Sequence, residues 1–137
     1  MVFKDSYTIP EQGVSVAIIE HRGKQYTGKA RLHPDDKEKW SEFTGCRYAE
    51  MRAQIAALKQ EHKEKKQACE ECRKFVKSVS CYKNFDKTSP IVKDMYRQLN
   101  IRIKEVNKIA DAINSLEMQL RASIRLQDKI NSKAKKG

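Results

Sequence analysis

The chain has 137 residues, of which 34% are charged and 39% hydrophobic, and its formal net charge is +11. This length fits about one domain, and no apolar run approaches the ~18 residues that span a membrane. The first residues, Met1 to Asp5, lack the apolar segment of a secretion signal, and four cysteines without such a signal favour a reducing compartment and free thiols. We therefore expect a cytoplasmic protein that does not contact a membrane.

The excess of positive charge falls after residue 44. Residues 1–44 carry seven bases and seven acids, whereas residues 45–137 carry 22 bases and 11 acids. Such an excess favours an anionic partner, either nucleic acid or an acidic protein surface. The alternative is the ordinary charged surface of a solvated coiled coil.

Two strand signals joined by a tight turn lie in the neutral part. Residues 14–20 are rich in β-branched side chains, and in residues 25–32 Tyr26, Gly28 and Ala30 alternate with the bases Lys29 and Arg31, so we predict a β-hairpin. Gly23 supplies the positive φ that the intervening turn requires, and Gly28 marks a bulge or a place of close packing. Residues 1–13, with a proline and a glycine near their end, predict an extended lead-in that finishes in a turn.

The residues after the hairpin lead into a long helix. Residues 33–36, His-Pro-Asp-Asp, predict a short helical turn, because proline suits a first turn and acids favour a helix N-terminus. Trp40 and Phe43 are expected to wedge between the β-hairpin and the helices. Thr44 or Gly45 is expected to cap the first long helix.

From residue 48 onward, seam residues recur at alternating spacings of three and four, which is the a/d pattern of a coiled coil. The pattern breaks only at 80–89, so we predict helices over about 46–79 and 90–131. The predicted fold class is mainly α: a long antiparallel helical hairpin, a coiled coil, with a small N-terminal β-hairpin. The first helix contributes two rows to the seam: Tyr48, Ile55, His62, Cys69 and Val76, and Met51, Leu58, Lys65, Cys72 and Val79. The second helix also contributes two rows: Val92, Leu99, Val106, Ile113 and Leu120, and Met95, Arg102, Ile109, Leu116, Ser123 and Ile130.

This pattern divides the chain into residues 1–44, packed on the helices, residues 45–131, the helical hairpin with its tip loop, and residues 132–137, a frayed basic tail. If residues 79 and 90 face each other, facing positions have numbers that sum to about 170. The middle of the seam is then a polar layer of His62, Lys65, Arg102 and Glu105. Such a layer fixes register and partner number, or its long side chains extend to solvent.

Part of the first half resembles a known pattern. The stretch from Val14 through His33-Pro34-Asp35-Asp36 to Phe43-Thr44-Gly45, followed by Ala49, Arg52-Ala53 and Leu58, is similar to small phage-type and bacterial accessory proteins. Some of these look like degenerate double-stranded-RNA-binding folds. The resemblance implies a small accessory protein that is phage-encoded, with the host cytoplasm as its location. We expect this chain to lack the third strand and the Lys-rich second-helix start of a true double-stranded-RNA-binding module, so RNA binding does not follow.

Cys69 and Cys72 have the Cys-x-x-Cys spacing of zinc and redox sites. They also fall on successive seam positions, where free cysteine serves as a small buried hydrophobe. A zinc site needs about four ligands, and His62 lies about 10 Å along the helix axis from Cys69. We predict that both thiols are buried and metal-free, with redox chemistry or metal binding across chains as the alternatives. Cys46 lies at the predicted helix start, where the helix dipole favours a reactive thiolate, but no catalytic partner is evident.

Two surfaces are candidates for binding. The tip loop places aromatic rings among bases, which suits stacking and phosphate contact with unpaired nucleotides, unless the rings close the end of the hairpin. Three bases on the second helix share a face, and we expect bases of the β-hairpin beside them, forming a cluster for phosphate contacts. The candidate residues are Tyr82, Lys83, Phe85 and Lys87 in the loop, Arg121, Arg125 and Lys129 on the helix, and Arg22, Lys24, Lys29 and Arg31 in the β-hairpin.

No phosphate-binding loop, zinc-protease motif, nucleophile elbow or dinucleotide fingerprint is present, so we predict no enzymatic activity, cofactor, metal or small-molecule substrate. The first hypothesis is a non-enzymatic protein that binds nucleic acid or a host nucleoprotein complex. The second is a phage-encoded inhibitor of the anti-CRISPR type that docks on a host nuclease complex. The third is a structural oligomer such as a homodimer, because a second apolar stripe needs a cover, either the β-hairpin or another chain. That stripe is Tyr96, Ile103, Ala110 and Ile124.

Overall fold

A three-stranded antiparallel sheet at the N-terminus is followed by two long helices. The computed structural model describes residues 1–31, 42–81 and 88–136, and within them all side chains except those of 42–43, 127–128 and 130–136. The elements are β1 (Val2–Ile9), β2 (Val14–His21), β3 (Lys24–Arg31), α1 (Glu42–Ser80) and α2 (Pro90–Lys136). The chain forms two compact units: the first contains residues 1–58 and 113–137, and the second contains residues 59–112.

The sheet has one strand more than the sequence predicts. Residues 1–13 do not form an extended lead-in, because Val2–Ile9 pairs with β2 along its length and makes β2 the central strand. Its exposed apolar and polar residues suit an edge strand, which needs only one partner and little core. The expected absence of a third strand, used above to separate this chain from double-stranded-RNA-binding modules, is therefore wrong.

The turn between β2 and β3 follows the prediction. Arg22 has φ 55° and Gly23 has φ 78°, so both central residues of this two-residue loop are left-handed. That is the type I′ geometry whose twist matches the flanking strands. The pairing of β2 with β3 then runs from His21 and Lys24 without interruption, so Gly28 is not a bulge.

Close packing explains Gly28 instead. A Cβ at this position would overlap the backbone oxygen of Ala49 and the backbone nitrogen of Ala53 on α1. The two alanines are fully buried, as is Ala57 four residues further on. Spacing of four residues keeps these small side chains on one helix face. The backbones of β3 and α1 can approach because neither presents a large side chain at the crossing.

Larger side chains surround this contact and form the core of the first unit. Ile19 and Tyr26 of the sheet pack with Ala53 and Ala57. A second cluster joins the sheet to both helices, and its buried members are Ala17, Ala30, Tyr48, Ala49, Ile55 and Leu120. The Tyr48 hydroxyl donates a hydrogen bond to the Ser123 carbonyl oxygen of α2 at 3.1 Å. α1 therefore buries two faces, one against the sheet and the other against α2.

Both helices are longer than the sequence predicts. Since α1 begins at Glu42, Thr44 and Gly45 lie inside it and do not cap it. α2 extends to Lys136, so the tail is helical, which suits its Lys and Ala content and the favourable position of cations at a helix C-terminus. The predicted short turn at 33–36, Trp40 and the Phe43 side chain lie outside the described residues.

The predicted seam is buried or half-buried along most of both helices. Within the described residues, Tyr48, Ile55, Cys69 and Val76 of α1 are buried. Val92, Ile113 and Leu120 of α2 are also buried. The described side chains of the companion rows, which start at Met51 and Met95, are half-buried apart from Arg102, which is exposed. Long cationic side chains reach solvent from such positions without disturbing their neighbours.

The register estimate is confirmed in the second unit. Lys65 Nζ lies 3.6 Å from Glu105 Oε2, and these residue numbers sum to the expected 170. His62 and Lys65 are both half-buried, as predicted for the polar layer, whereas Arg102 and Glu105 are exposed, so the layer is present on α1 only. None of the helices, over their described residues, has an 18-residue stretch apolar enough to cross a membrane.

Gly28→Ala tests the contact between β3 and α1. The added methyl group must push the strand from the helix, so we expect the free energy of unfolding to fall by roughly 1–3 kcal/mol, measured by urea unfolding with circular dichroism. Gly23→Asn is the matched control, because no atom lies within 4 Å of a Cβ there and asparagine tolerates positive φ. Equal stability of the two variants would contradict the proposed crowding.

Candidate functional site

Three exposed bases on α2 form what we call the basic ridge: Arg121, Arg125 and Lys129. They follow one another at four-residue spacing, about 6 Å of helix axis, so they lie along one face. None of them forms an ion pair with a described residue. Leu120 and Ile124 hold this part of α2 on the core, and each precedes a ridge arginine by one residue, which is about 100° around the helix. The sequence places these three residues correctly on an exposed face.

A second group of bases lies on β3. Tyr26, Gly28 and Ala30 face α1, so the alternating residues of the strand face away from the helix. Lys29 and Arg31 are therefore on the outer face, and both are exposed. Arg22 and Lys24, at the turn, are exposed as well, and each has a partner within the chain. These four residues do not all share a face with each other.

One core cluster links the basic ridge to the basic end of β3. Ala30 and Leu120 belong to the same buried cluster, and each is adjacent in sequence to an exposed arginine, Arg31 and Arg121. We expected the end of α2 to lie beside the β-hairpin, and both elements contribute residues to this one core cluster. Residues 113–137 carry six bases and two acids, so the positive charge is local to this part of the first unit.

Arg52 of α1 adds a base beside β3. Its Nη1 donates a hydrogen bond to the Lys29 carbonyl oxygen at 2.7 Å. β3 is an edge strand, and this carbonyl points away from β2. Arg52 was not among the predicted binding residues. Its signal in the sequence was its position one residue before Ala53, on the border of the face that the sheet covers.

The tip-loop candidates Tyr82, Lys83, Phe85 and Lys87 lie outside the described residues. The second apolar stripe divides between the two units. Ile124 is half-buried and packs against the core cluster of the first unit, so this end of the stripe is covered within the unit. In the second unit, Tyr96 is 37% exposed, and Ile103 and Ala110 are half-buried.

The cysteines do not form a cluster. Cys69 is buried as predicted, whereas Cys72 is half-buried and Cys81 is exposed. Cys46 lies in the second turn of α1 because the helix starts earlier than predicted, so the argument from the helix dipole does not apply to it. Its Sγ lies 3.6 Å from Thr8 Oγ1, which lies 3.1 Å from the Oγ of the fully buried Ser15.

No group of three or more His, Cys, Asp or Glu side chains that could hold a metal occurs among the described residues. Residue types that could ligate one are present at Cys69 and Cys72, which supply two thiols at most. A tetrahedral zinc site would need two further ligands.

One surface of the second unit was not predicted from the sequence. Five exposed bases lie along one side of α1: Lys59, Lys66 and Arg73 follow one another at seven-residue intervals, and Lys63 and Lys77 belong to a second row in which Glu70 lies between them. The seven-residue repeat is that of the seam, but these bases lie to one side of the seam on the helix surface. The apolar residues of the seam gave the stronger signal in the sequence. We call these residues the basic flank: Lys59, Lys63, Lys66, Arg73 and Lys77.

No family model, curated protein or solved structure matches the chain. The function is therefore inferred from the surfaces described above.

We predict that the purified protein contains no stoichiometric zinc and that a chelator leaves its helical circular dichroism unchanged. The reason is that Cys69 fills a core position and no third ligand adjoins it among the described residues. Elemental analysis by mass spectrometry measures the metal content, with Cys69→Ala and Cys72→Ala as comparisons. About one zinc per chain whose removal reduces helicity would show that the thiols are ligands.

Proposed function

We propose that the chain is a non-enzymatic binding protein and that its first unit binds the phosphate backbone of duplex nucleic acid through the basic ridge. The single observation that supports this is the exposed row of Arg121, Arg125 and Lys129 on one face of α2, without an ion pair to any described residue. Guanidinium and ammonium groups bind phosphate oxygens and release condensed counterions. Lys29 and Arg31 are exposed on the outer face of β3 in the same unit and add to its positive charge.

The chemistry of this surface favours positioning over sequence readout. Phosphate contacts hold a protein on the duplex but carry no base information. Two arginines and one lysine with solvated surroundings match that role. We therefore expect similar affinity for duplexes of different sequence and a strong dependence of affinity on salt.

The inhibitor hypothesis uses the same surface against a host nucleoprotein complex. In that case the ridge contacts the guide strand or an acidic face of the nuclease. A partner protein that stays captured after nuclease treatment favours the inhibitor hypothesis, because binding to an acidic protein face survives the treatment whereas binding to nucleic acid does not.

We also propose that the two helices pack as an antiparallel coiled coil in the second unit. The buried row from Cys69 and Val76, together with Val92, supports this arrangement, as does the facing pair Lys65 and Glu105. A coiled coil would explain why apolar residues persist at the seam while most of both helices is polar.

Lys65→Leu tests the coiled coil. A leucine at a seam position removes a charge from a half-buried site and adds apolar burial, so we expect the free energy of unfolding to rise by about 0.5–1 kcal/mol. Urea unfolding measures it, and Lys66→Leu, at the neighbouring exposed position, is the control with no expected gain. A loss of stability in Lys65→Leu would argue that position 65 is not part of an apolar seam.

The combined variant Arg121→Ala, Arg125→Ala, Lys129→Ala tests the nucleic-acid interface. We expect weaker binding to a duplex DNA of random sequence by fluorescence anisotropy, and a log–log salt slope smaller by about 0.9 for each phosphate that the variant no longer neutralises. Stability should change by within ~0.5 kcal/mol per site, because all three side chains are exposed.

The control for this variant removes the same charge from the second unit: Lys74→Ala, Lys104→Ala, Lys108→Ala, all at exposed positions. If both triple variants lose affinity equally, net charge and not the ridge determines binding. If neither loses affinity while helicity is intact, the ridge is not the interface.

A further inference from the structure

The basic flank of the second unit is a single continuous row. At 100° per residue, Lys59, Lys63, Lys66, Arg73 and Lys77 fall within an arc of about 80° on α1 and extend over ~27 Å of axis. All five are exposed, and the one acid within the row is Glu70. Lys63, Lys66, Arg73 and Lys77 form no ion pair with a described residue. Such a row of exposed like charges is unfavourable by itself, since like charges four residues apart repel.

An apolar strip on α2 adjoins this row. The ion pair of Lys65 with Glu105 fixes which sides of the two helices are neighbours. On the opposite side of the seam, the flank of α1 that carries Lys59, Lys66 and Arg73 must then lie next to the flank of α2 that carries Tyr96, Ile103 and Ala110. The three α2 residues are half-buried or exposed, although they are apolar and repeat every seven residues over ~21 Å.

The far border of the strip is polar but lacks acids. Lys93, Asn100 and Asn107 lie there, all of them exposed. The second unit therefore presents a groove with an apolar floor from α2, a basic rim from α1 and a neutral-to-basic rim on the other side. No described residue of the unit covers the floor completely.

We propose that this groove is the docking site for an acidic amphipathic helix of a partner protein. The partner's apolar face would cover Tyr96, Ile103 and Ala110 and turn the pair of helices into a three-helix arrangement. Its acidic flank would face Lys63, Lys66 and Arg73. This interaction is distinct from the nucleic-acid binding proposed for the first unit and does not depend on it.

The basic rim and the apolar floor of the groove together fit an acidic amphipathic helix. Helix-in-groove recognition uses apolar anchors at intervals of three, four and seven residues, which is the spacing of the floor. Rim charges of opposite sign orient the incoming helix and speed its association more than they add affinity. The phosphate backbone of a nucleic acid would match the rim but leave the apolar floor without a role.

A second copy of this chain is a poorer match for the groove. Two acids on the opposite flank of the unit already have partners, since Glu105 pairs with Lys65 at 3.6 Å and Asp94 with Arg97 at 2.6 Å, and Glu71 there stands alone as an exposed acid without an ion pair to a described residue. Glu61 and Glu64 also interact within the chain. A copy of the unit therefore offers no free acidic row, and its net positive charge would oppose approach.

The test uses two synthetic helical peptides and the intact chain. Both peptides are about 21 residues long, ~30 Å as helices, with the same apolar face of Leu and Ala. One carries Glu on both flanks and the other carries Lys at the same positions. We expect the acidic peptide to bind one per chain by isothermal titration calorimetry, and the basic peptide to bind at least about tenfold more weakly.

Two variants locate the binding on the chain. The combined variant Lys63→Glu, Lys66→Glu, Arg73→Glu should lose the acidic peptide by at least about tenfold and gain the basic one, because the rim is reversed. The combined variant Tyr96→Asn, Ile103→Asn should weaken both peptides, because the floor becomes polar. The control Lys74→Glu, Lys104→Glu, Lys108→Glu makes the same change in net charge at exposed positions outside the basic flank and the apolar floor, and it should bind the acidic peptide as the parent does.

The results have distinct meanings. The proposal is supported if the rim variant prefers the basic peptide while the control still prefers the acidic one. Equal losses in the rim variant and the control overturn it, as does equal binding of both peptides to the parent chain. Self-association in sedimentation that the rim variant abolishes would assign the groove to a second copy, and loss of duplex DNA binding specific to the rim variant would assign it to nucleic acid. Either outcome overturns the proposal, and neither depends on the basic ridge.

Discussion

The contact between the backbones of β3 and α1 is the constraint on which the first unit depends. Gly28 can lie against Ala49 and Ala53 only because none of the three carries a side chain larger than a methyl group. This approach allows Ile19 and Tyr26 to reach the helix on one side and Ala17 and Ala30 on the other. The side of the sheet that carries these residues is apolar, and packing on α1 removes it from water. In turn, the opposite face of α1 is left to pack against α2.

As a consequence, each helix buries apolar residues on one face and exposes bases on another. In the first unit, α2 turns Leu120 to the core and leaves Arg121 and Arg125 in solvent. In the second unit, α1 places Cys69 and Val76 in the seam and its bases along one flank. The seven-residue repeat therefore organises charge as well as burial. That repeat also keeps the bases in straight rows, which is what contact with an extended partner requires.

Much of this arrangement could be predicted from the sequence, because periodicity and turn chemistry are local. The type I′ turn at Gly23 and the pairing of β2 with β3 are encoded within a few residues. The register of Lys65 with Glu105 follows from the length of the connection. β1 was missed because an edge strand with exposed Val2, Phe3 and Tyr7 has no regular alternation of its own and is defined by its partner. The second buried face of α1 was missed because alanine gives no hydrophobic signal and matters there through its small size.

The candidate surfaces were only partly predictable. Arg121, Arg125 and Lys129 repeat every four residues and are evident in one helix. The basic flank acquires its meaning only when the neighbouring helix is known, because Tyr96 and Ile103 form its floor from a part of the chain some thirty residues away. The relation of Arg31 to Arg121 likewise depends on a shared core cluster and not on sequence separation.

The hydrogen bond from Arg52 to the Lys29 carbonyl affects whether two molecules can associate through the edges of their sheets. An open strand edge offers its carbonyl and amide groups to any other extended chain, and this is the usual route by which sheets join between molecules. Here a guanidinium group occupies one of those carbonyls and brings a positive charge to the border of the sheet. A polyanion gathers many copies of a basic protein along its length, at local concentrations far above those in free solution. On the duplex proposed as the partner, the occupied carbonyl would leave β3 one open group fewer with which a strand of a neighbouring copy could pair.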